Sequence, residues 1–316
     1  MKIVIIGVGA FGFAILNHLS KNHPNTEFFA YEKDEFVLQN LKNTRENPYF
    51  FSGTKLQNNV TFLDNLDNIS DFDVIIIAIP AQFVGNFIKN IQNNLKSGVT
   101  FLNLSKGINN ETLQTPSDIL QNELGNFSYH YAILSGGMIA GELVEEKILG
   151  AQIGCENIEI AKQLQFYFEN KNLKISLSST TKNIELFGSI KNIFALYMGY
   201  LEASGLGMSS VGYYFCELYK ELPVLLQDLG GEKSIEFSDF SLGGDLIATC
   251  FGNSRNRYFG NLVGNGKNAK EAEEILKQEK KHAEGYYTLL GIQDIILKNE
   301  KIVEFRKIIH IFLSNK

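Results

Sequence analysis

Residues 2–12 constrain the fold more than any other stretch of the chain. A short apolar, β-branched run through Ile6 opens onto Gly7-Val8-Gly9-Ala10-Phe11-Gly12, and AILNHLS follows at the spacing of an amphipathic helix. Apolar residues in unbroken succession read as a parallel strand buried on both faces. Strand, glycines and helix in that order make a G-x-G-x-x-G turn whose parts have separate physical jobs. Gly7 permits the tight turn, Gly9 lets a pyrophosphate approach the backbone, and Gly12 lets helix and strand pack closely. The helix start adds free N–H groups and a partial positive charge for phosphates. The spacing therefore predicts a dinucleotide-binding βαβ unit.

EFFAYE reads as the second strand and ends at Glu32, twenty residues past Gly12, where an acid meets the ribose hydroxyls of an adenosine. Such an acid repels a 2′-phosphate and favours NAD, whereas Lys33 beside it can accept one, so NAD and NADP both stay open. A plain surface acid is the alternative for Glu32. VTFLDNL, DFDVIIIAIP and VTFLNLSKGI follow as strands, with Pro80 expected to stop the second at the edge of the cofactor crevice. Lys106, just past a strand's carboxyl end, points at a ligand or caps a loop. YAILSGGMIAGE, ILGAQIGC and LKISLSS complete the alternation. The pattern predicts a doubly wound, Rossmann-like α/β domain over residues 1–180.

Beyond Thr180 the β-branched runs stop and helical patterns take over, which predicts an all-α domain over residues 181–316. In its first long helix Phe187, Ile190, Phe194, Tyr197 and Leu201 recur at helical spacing, with Lys191 inside the pattern. Either the Lys191 stem snorkels to water, or burial disfavours the ammonium and makes it an acid–base group. Residues 241–266 gather Asp245, Thr249, Ser254, Arg255, Asn256 and Arg257 among glycines. An arginine fork there suits a phosphate, so an anionic head group is expected. The alternative is a glycine-rich helical corner held by an Asp–Arg pair.

The bulk properties remove other classes. A net charge of -6 without a basic face argues against a nucleic-acid partner. Cys155, Cys216 and Cys250 lack metal-ligand spacing, so no metal is expected and a reducing compartment fits. No apolar run approaches the ~20 residues of a membrane span. The chain opens directly in a strand, and a soluble, cytoplasmic protein is expected. The KNEK and KKH clusters near the C-terminus read as solvated helix faces.

Seven motifs in order, GVGAFG, NPYFFSGTKL, LSKGI, ELFGSIKNIFALYMG, GGDLIATC, SRNRYFG and AEGYYT, together resemble the NAD(P)-dependent glycerol-3-phosphate dehydrogenase family across nearly the whole chain. The resemblance implies reduction of dihydroxyacetone phosphate to sn-glycerol 3-phosphate for phospholipid synthesis, by a homodimer acting on a small phosphorylated substrate. It makes Lys191 the proton donor and acceptor, oriented by Asp245, with Asn192 in the same site. Lys106 would touch both substrate and nicotinamide, and Asp245 and Thr249 would line the substrate pocket. Ser254, Arg255 and Asn256 would hold the phosphate, with Gly136 and Met138 also on the substrate side. Cofactor contacts would come from Gly7, Gly9, Ala10, Phe11, Gly12, Glu32, Lys33, Pro80, Lys106, Ala140 and Arg255, with His282 and Glu284 closing over it.

Three departures from the family's pattern bear on the substrate. Ser135 to Glu142 read SGGMIAGE where the family shows SGPSFAxE, which loses a rigid turn and a polar contact. Ala10 and Phe11 replace more polar or bulkier partners in the first loop, and the spacing from GDL to SRN is one residue shorter. A β-hydroxyacid or 6-phosphogluconate type dehydrogenase shares the two-domain plan and an SGG turn, but carries Lys-x-x-x-Asn where this chain has Lys191 and Ala195. A nucleotide-sugar dehydrogenase would need a nucleophilic cysteine, for which Cys250 is the candidate. A non-catalytic NAD(P)-binding sensor is the third alternative.

Overall fold

Eight strands form one sheet in a computed structural model of the protein, which describes residues 1–109, 112–279 and 281–314. The first unit runs β1 (Ile3–Ile6), α1 (Ala10–Asn22), β2 (Phe28–Tyr31), α2 (Glu35–Thr44), β3 (Val60–Leu63), β4 (Val74–Ile77), α3 (Val84–Ile91) and β5 (Val99–Asn103). It continues through α4 (Pro116–Leu124), β6 (Tyr129–Gly136), α5 (Ala140–Val144), β7 (Leu149–Cys155), α6 (Ile158–Phe168) and β8 (Leu173–Ser178). The strand order is β3-β2-β1-β4-β5-β6-β7-β8. Neighbours pair in parallel except β6 with β7, so β7 and β8 run against the other six. The link between β6 and β7 holds only the five-residue α5, too little for the helical crossover a parallel return needs.

Both sheet faces are covered, which is why the strands are apolar without alternation. In β1, Ile3 and Ile5 join one core with Phe13, Leu16 and Leu19 of α1, while Val4 and Ile6 join another with Val84 and Ile88 of α3. Each such side chain, fully buried, contributes about 1.5–3 kcal/mol of transfer free energy. Two local expectations are corrected. α1 is not amphipathic: Gly12 to Ser20 are all buried, because α5 and α6 also pack on it. β4 ends at Ile77, three residues short of Pro80, which instead precedes a 3-10 turn at Ala81–Phe83.

The second unit consists of α7 (Lys182–Ala203), α8 (Met208–Asp228), a π-helical turn at Phe240–Gly244, α9 (Asp245–Phe251), α10 (Arg255–Gly264), α11 (Ala269–Gln278), α12 (Glu284–Lys298) and α13 (Val303–Leu313). Residues 107–109 and 112–115 group with it rather than with the sheet, since Ile108 lies in the helical core and Leu113 packs against it. α7 is buried continuously from Asn183 to Gly199. Within the stretch 241–266, Gly260 and Gly264 pack against α7. A Cβ on Gly260 would lie 2.0 Å from the Leu196 carbonyl oxygen, and one on Gly199 would lie 2.1 Å from that of Arg257. α7 and α10 therefore meet backbone to backbone. Of the charged clusters, Lys298 is the exposed last residue of α12, Asn299 to Lys301 join α12 to α13, Lys281 and His282 precede α12, and Lys280 lies outside the described residues. Among the described residues no helix is long and apolar enough to cross a membrane.

Candidate active site

The glycine turn of the first unit has the shape its sequence requires. Gly7 sits at φ +92°, and a Cβ there would lie 2.7 Å from the Ile79 Cγ2. A Cβ on Gly12 would lie 2.0 Å from the Gly7 carbonyl oxygen, so only glycine lets α1 start this close to β1. Over Gly9 the space is open, with nothing within 4 Å of such an atom. The N-terminus of α1 has no side-chain cap and no acid in its first turn, so its N–H groups and positive dipole end await an anion. An uncapped helix end beneath an open backbone fits a pyrophosphate. Ala10 and Phe11 stand half-buried at that helix start, Pro80 is exposed, and Ala140 opens α5.

Glu32 is tied to the turn from the end of β2. The Val8 N–H donates to its Oε2 at 2.7 Å and the Asp34 N–H to its Oε1 at 3.0 Å, while Lys33 is exposed. Asn47 opens the NPYFFSGTKL motif, and its part in the structure is to hold that loop. Its buried amide donates to the Val8 carbonyl oxygen at 2.7 Å, and its Oδ1 accepts the N–H groups of Tyr49 and Phe50. The aromatic NPYFF loop is thereby pinned to the glycine turn. At the carboxyl ends of β5 and β6, Lys106 Nζ donates to the Gly136 carbonyl oxygen at 3.2 Å, and the Met138 N–H donates to the same oxygen at 2.7 Å. Gly136 admits no side chain, since a Cβ would meet the Gly150 carbonyl oxygen at 2.6 Å.

In the second unit Lys191 is only 7% exposed, which rules out snorkelling, and its Nζ donates to Asp245 Oδ1. Asp245, the first residue of α9, is 3% exposed and also accepts from the Thr249 hydroxyl at 3.3 Å, one turn on. The carboxylate supplies the counter-charge that a buried ammonium needs. Cys250 follows at 0% exposure, and burial pushes its thiol up from the ordinary range, which deprives a nucleotide-sugar mechanism of its nucleophile. The Asp–Arg corner does not form: Arg257 pairs with Glu202. Arg255 opens α10, exposed and with no carboxylate partner among the described residues. A cation at a helix N-terminus opposes the dipole, so an anion bound there would relieve the position. Ser254 caps the helix, its Oγ accepting the Arg257 N–H at 3.0 Å.

Asn192 and Asn256 are more structural than the motif suggests. Asn256 Nδ2 donates to Asn192 Oδ1 at 2.8 Å, and Asn256 Oδ1 accepts the Gly285 N–H at 2.9 Å. Asn192 Nδ2 reaches Glu284 Oε2 at 3.5 Å and the Gly188 carbonyl oxygen at 3.4 Å. This bracket fastens α7, α10 and the start of α12, and it leaves Asn256 one amide hydrogen for a ligand. His282 is exposed just before α12 and makes no hydrogen bond with this bracket.

Residues 2–161 match the family described as NAD-dependent glycerol-3-phosphate dehydrogenase N-terminus, and residues 180–315 match its C-terminus counterpart. A glycerol-3-phosphate dehydrogenase [NAD(P)+] of Fusobacterium nucleatum is 30% identical over 290 residues, covering 91% of this chain and 85% of that protein. Solved structures of glycerol-3-phosphate dehydrogenases share the fold. That from Plasmodium falciparum has a TM-score of 0.90 at 22% identity and covers 100% of this chain and 92% of its own. That from Saccharomyces cerevisiae has a TM-score of 0.87 at 22% identity, with 100% and 96% covered.

Proposed function

The chain belongs to the NAD-dependent glycerol-3-phosphate dehydrogenase family, and from that premise we propose that it interconverts dihydroxyacetone phosphate and sn-glycerol 3-phosphate with NAD(H) or NADP(H). The observation that carries the reading is the buried Lys191–Asp245 pair, an ammonium held out of water beside its own counter-charge. When bound, the cofactor would be held by Gly7, Gly9 and Gly12 and would supply the hydride. Glu32, its carboxylate fixed by Val8 and Asp34, would take the ribose hydroxyls and would disfavour a 2′-phosphate, which favours NAD.

As the substrate carbonyl becomes an alkoxide, positive charge already in place beside its oxygen lowers the barrier. Lys191 supplies that charge and then the proton, and Asp245 holds the amine in orientation throughout. Lys106, anchored on the Gly136 carbonyl, serves as a second cation. Arg255 grips the phosphate, with Ser254 and the free amide hydrogen of Asn256 assisting, and this remote binding orients the carbonyl. We also place the protein in the cytoplasm as a homodimer whose product feeds phospholipid precursors.

Lys191→Ala tests the reading. Turnover of dihydroxyacetone phosphate should fall at least ~10²-fold while NADH affinity stays near that of the parent. Near-normal turnover would remove Lys191 from the chemistry. Cofactor binding by the parent protein with no turnover of any phosphorylated ketone or 3-oxo acid would favour a sensor instead.

A further inference from the structure

Ser135 is the penultimate residue of β6, only 3% exposed, and its Oγ has no hydrogen-bond partner among the described residues. Its cross-strand neighbour Gln152 does not satisfy it. A hydroxyl taken out of water without a replacement bond opposes folding, and such groups call for a specific cause. The position supplies one. The next residue, Gly136, carries the carbonyl that anchors Lys106 Nζ, and its turn is closed by the Met138 N–H. The orphaned hydroxyl thus lies at the carboxyl ends of parallel strands, where open α/β sheets take their ligands.

Dihydroxyacetone phosphate offers three polar groups. The phosphate calls for an arginine and the carbonyl oxygen for an ammonium, roles proposed above for Arg255, Lys191 and Lys106. The remaining group is a neutral hydroxyl, which needs a partner able both to donate and to accept, as a serine does. We infer that Ser135 binds the free hydroxyl of the substrate and so selects a hydroxyketone phosphate over its methyl-ketone analogue. The inference rests on the proposed activity.

The test compares kcat/KM for dihydroxyacetone phosphate and hydroxyacetone phosphate, whose methyl replaces the hydroxymethyl group, in the full chain and in Ser135→Ala. The parent should prefer the natural substrate by ~10²-fold or more. Ser135→Ala should lose at least ~10-fold on dihydroxyacetone phosphate while staying within about twofold on the analogue. The free enzyme should melt about 2–4 °C higher, because an uncompensated buried hydroxyl is gone. Equal losses on both substrates, an unchanged preference, or a lower melting point would overturn the inference. If the alanine variant fails to fold, Ser135→Cys keeps a group at the γ position but replaces the hydroxyl by a weak hydrogen-bonding thiol, and should show the same selective loss. Ser176→Ala removes another buried hydroxyl without a partner, two strands away, and should leave the preference unchanged; a matching shift there would count against Ser135. A parent that does not turn over dihydroxyacetone phosphate refutes the proposed function, whereas an active parent with an unaltered preference in Ser135→Ala refutes only this assignment.

Discussion

Replacing Asp245 by alanine would remove the carboxylate from an ammonium that is 7% exposed inside the most buried helix of its unit. Breaking a buried ion pair from one side costs about 3–5 kcal/mol, and neither partner is exposed enough for solvent to discount that figure. At roughly 3 °C per kcal/mol, the melting temperature should fall by ~10–15 °C. Lys191→Met strands the carboxylate instead and should cost a similar amount, reduced by what Thr249 still donates. The double variant Lys191→Met/Asp245→Leu leaves no charge behind and should return to within about 1–2 kcal/mol of the parent, a coupling of ~3 kcal/mol or more. Urea unfolding at pH 7 measures the three losses, and NADH oxidation should be down at least ~10²-fold in all three. The stability of the double variant separates pairing from packing, because its activity stays lost while its fold recovers. If the double loss equals the sum of the single losses, the two side chains are not coupled and the site has been misread.

Further outcomes follow from the same geometry. Gly12→Ala puts a methyl group where the Gly7 carbonyl oxygen lies 2.0 Å away, and titration should show NADH binding weakened ~10²-fold or more; an unchanged Kd would disconnect the turn from the cofactor. Arg255→Lys keeps the charge and loses the fork, so steady-state kinetics should show KM for dihydroxyacetone phosphate rising ~10-fold with a smaller change in kcat. His18 is buried on α1 against the Phe168 carbonyl oxygen, and burial holds its pKa below the ordinary 6.5. Below pH 6.5 the unfolded chain takes up that proton before the folded one, so stability is lost as pH falls from 6.5 towards the folded value. His18→Gln should flatten that part of the stability profile in chemical denaturation, and an identical profile would assign the loss to other groups.

Motif and periodicity reach as far as neighbours along the chain. The strand, the glycines and the helix start are contiguous, so their geometry is legible in eleven or so residues of sequence, and the positive φ of Gly7 and the crowding at Gly12 are where those residue types place them. The lysine within an apolar helical pattern is equally visible, since spacing alone sets which face it shares. Its state is not visible there. Whether Lys191 snorkels or pairs depends on Asp245, 54 positions later, and whether Asn256 is free for a ligand depends on Asn192, 64 positions away. Gly260 and Gly264 are only part of a glycine-rich stretch in the sequence and prove to be helix-packing positions, because only the approach of α7 to α10 shows what a Cβ would strike. Ser135 looks ordinary in a strand until its surroundings exclude water and offer nothing in return. Turn chemistry and periodicity are short-range and travel with the sequence, whereas desolvation and pairing belong to atoms brought together from distant positions, and only folding brings them there.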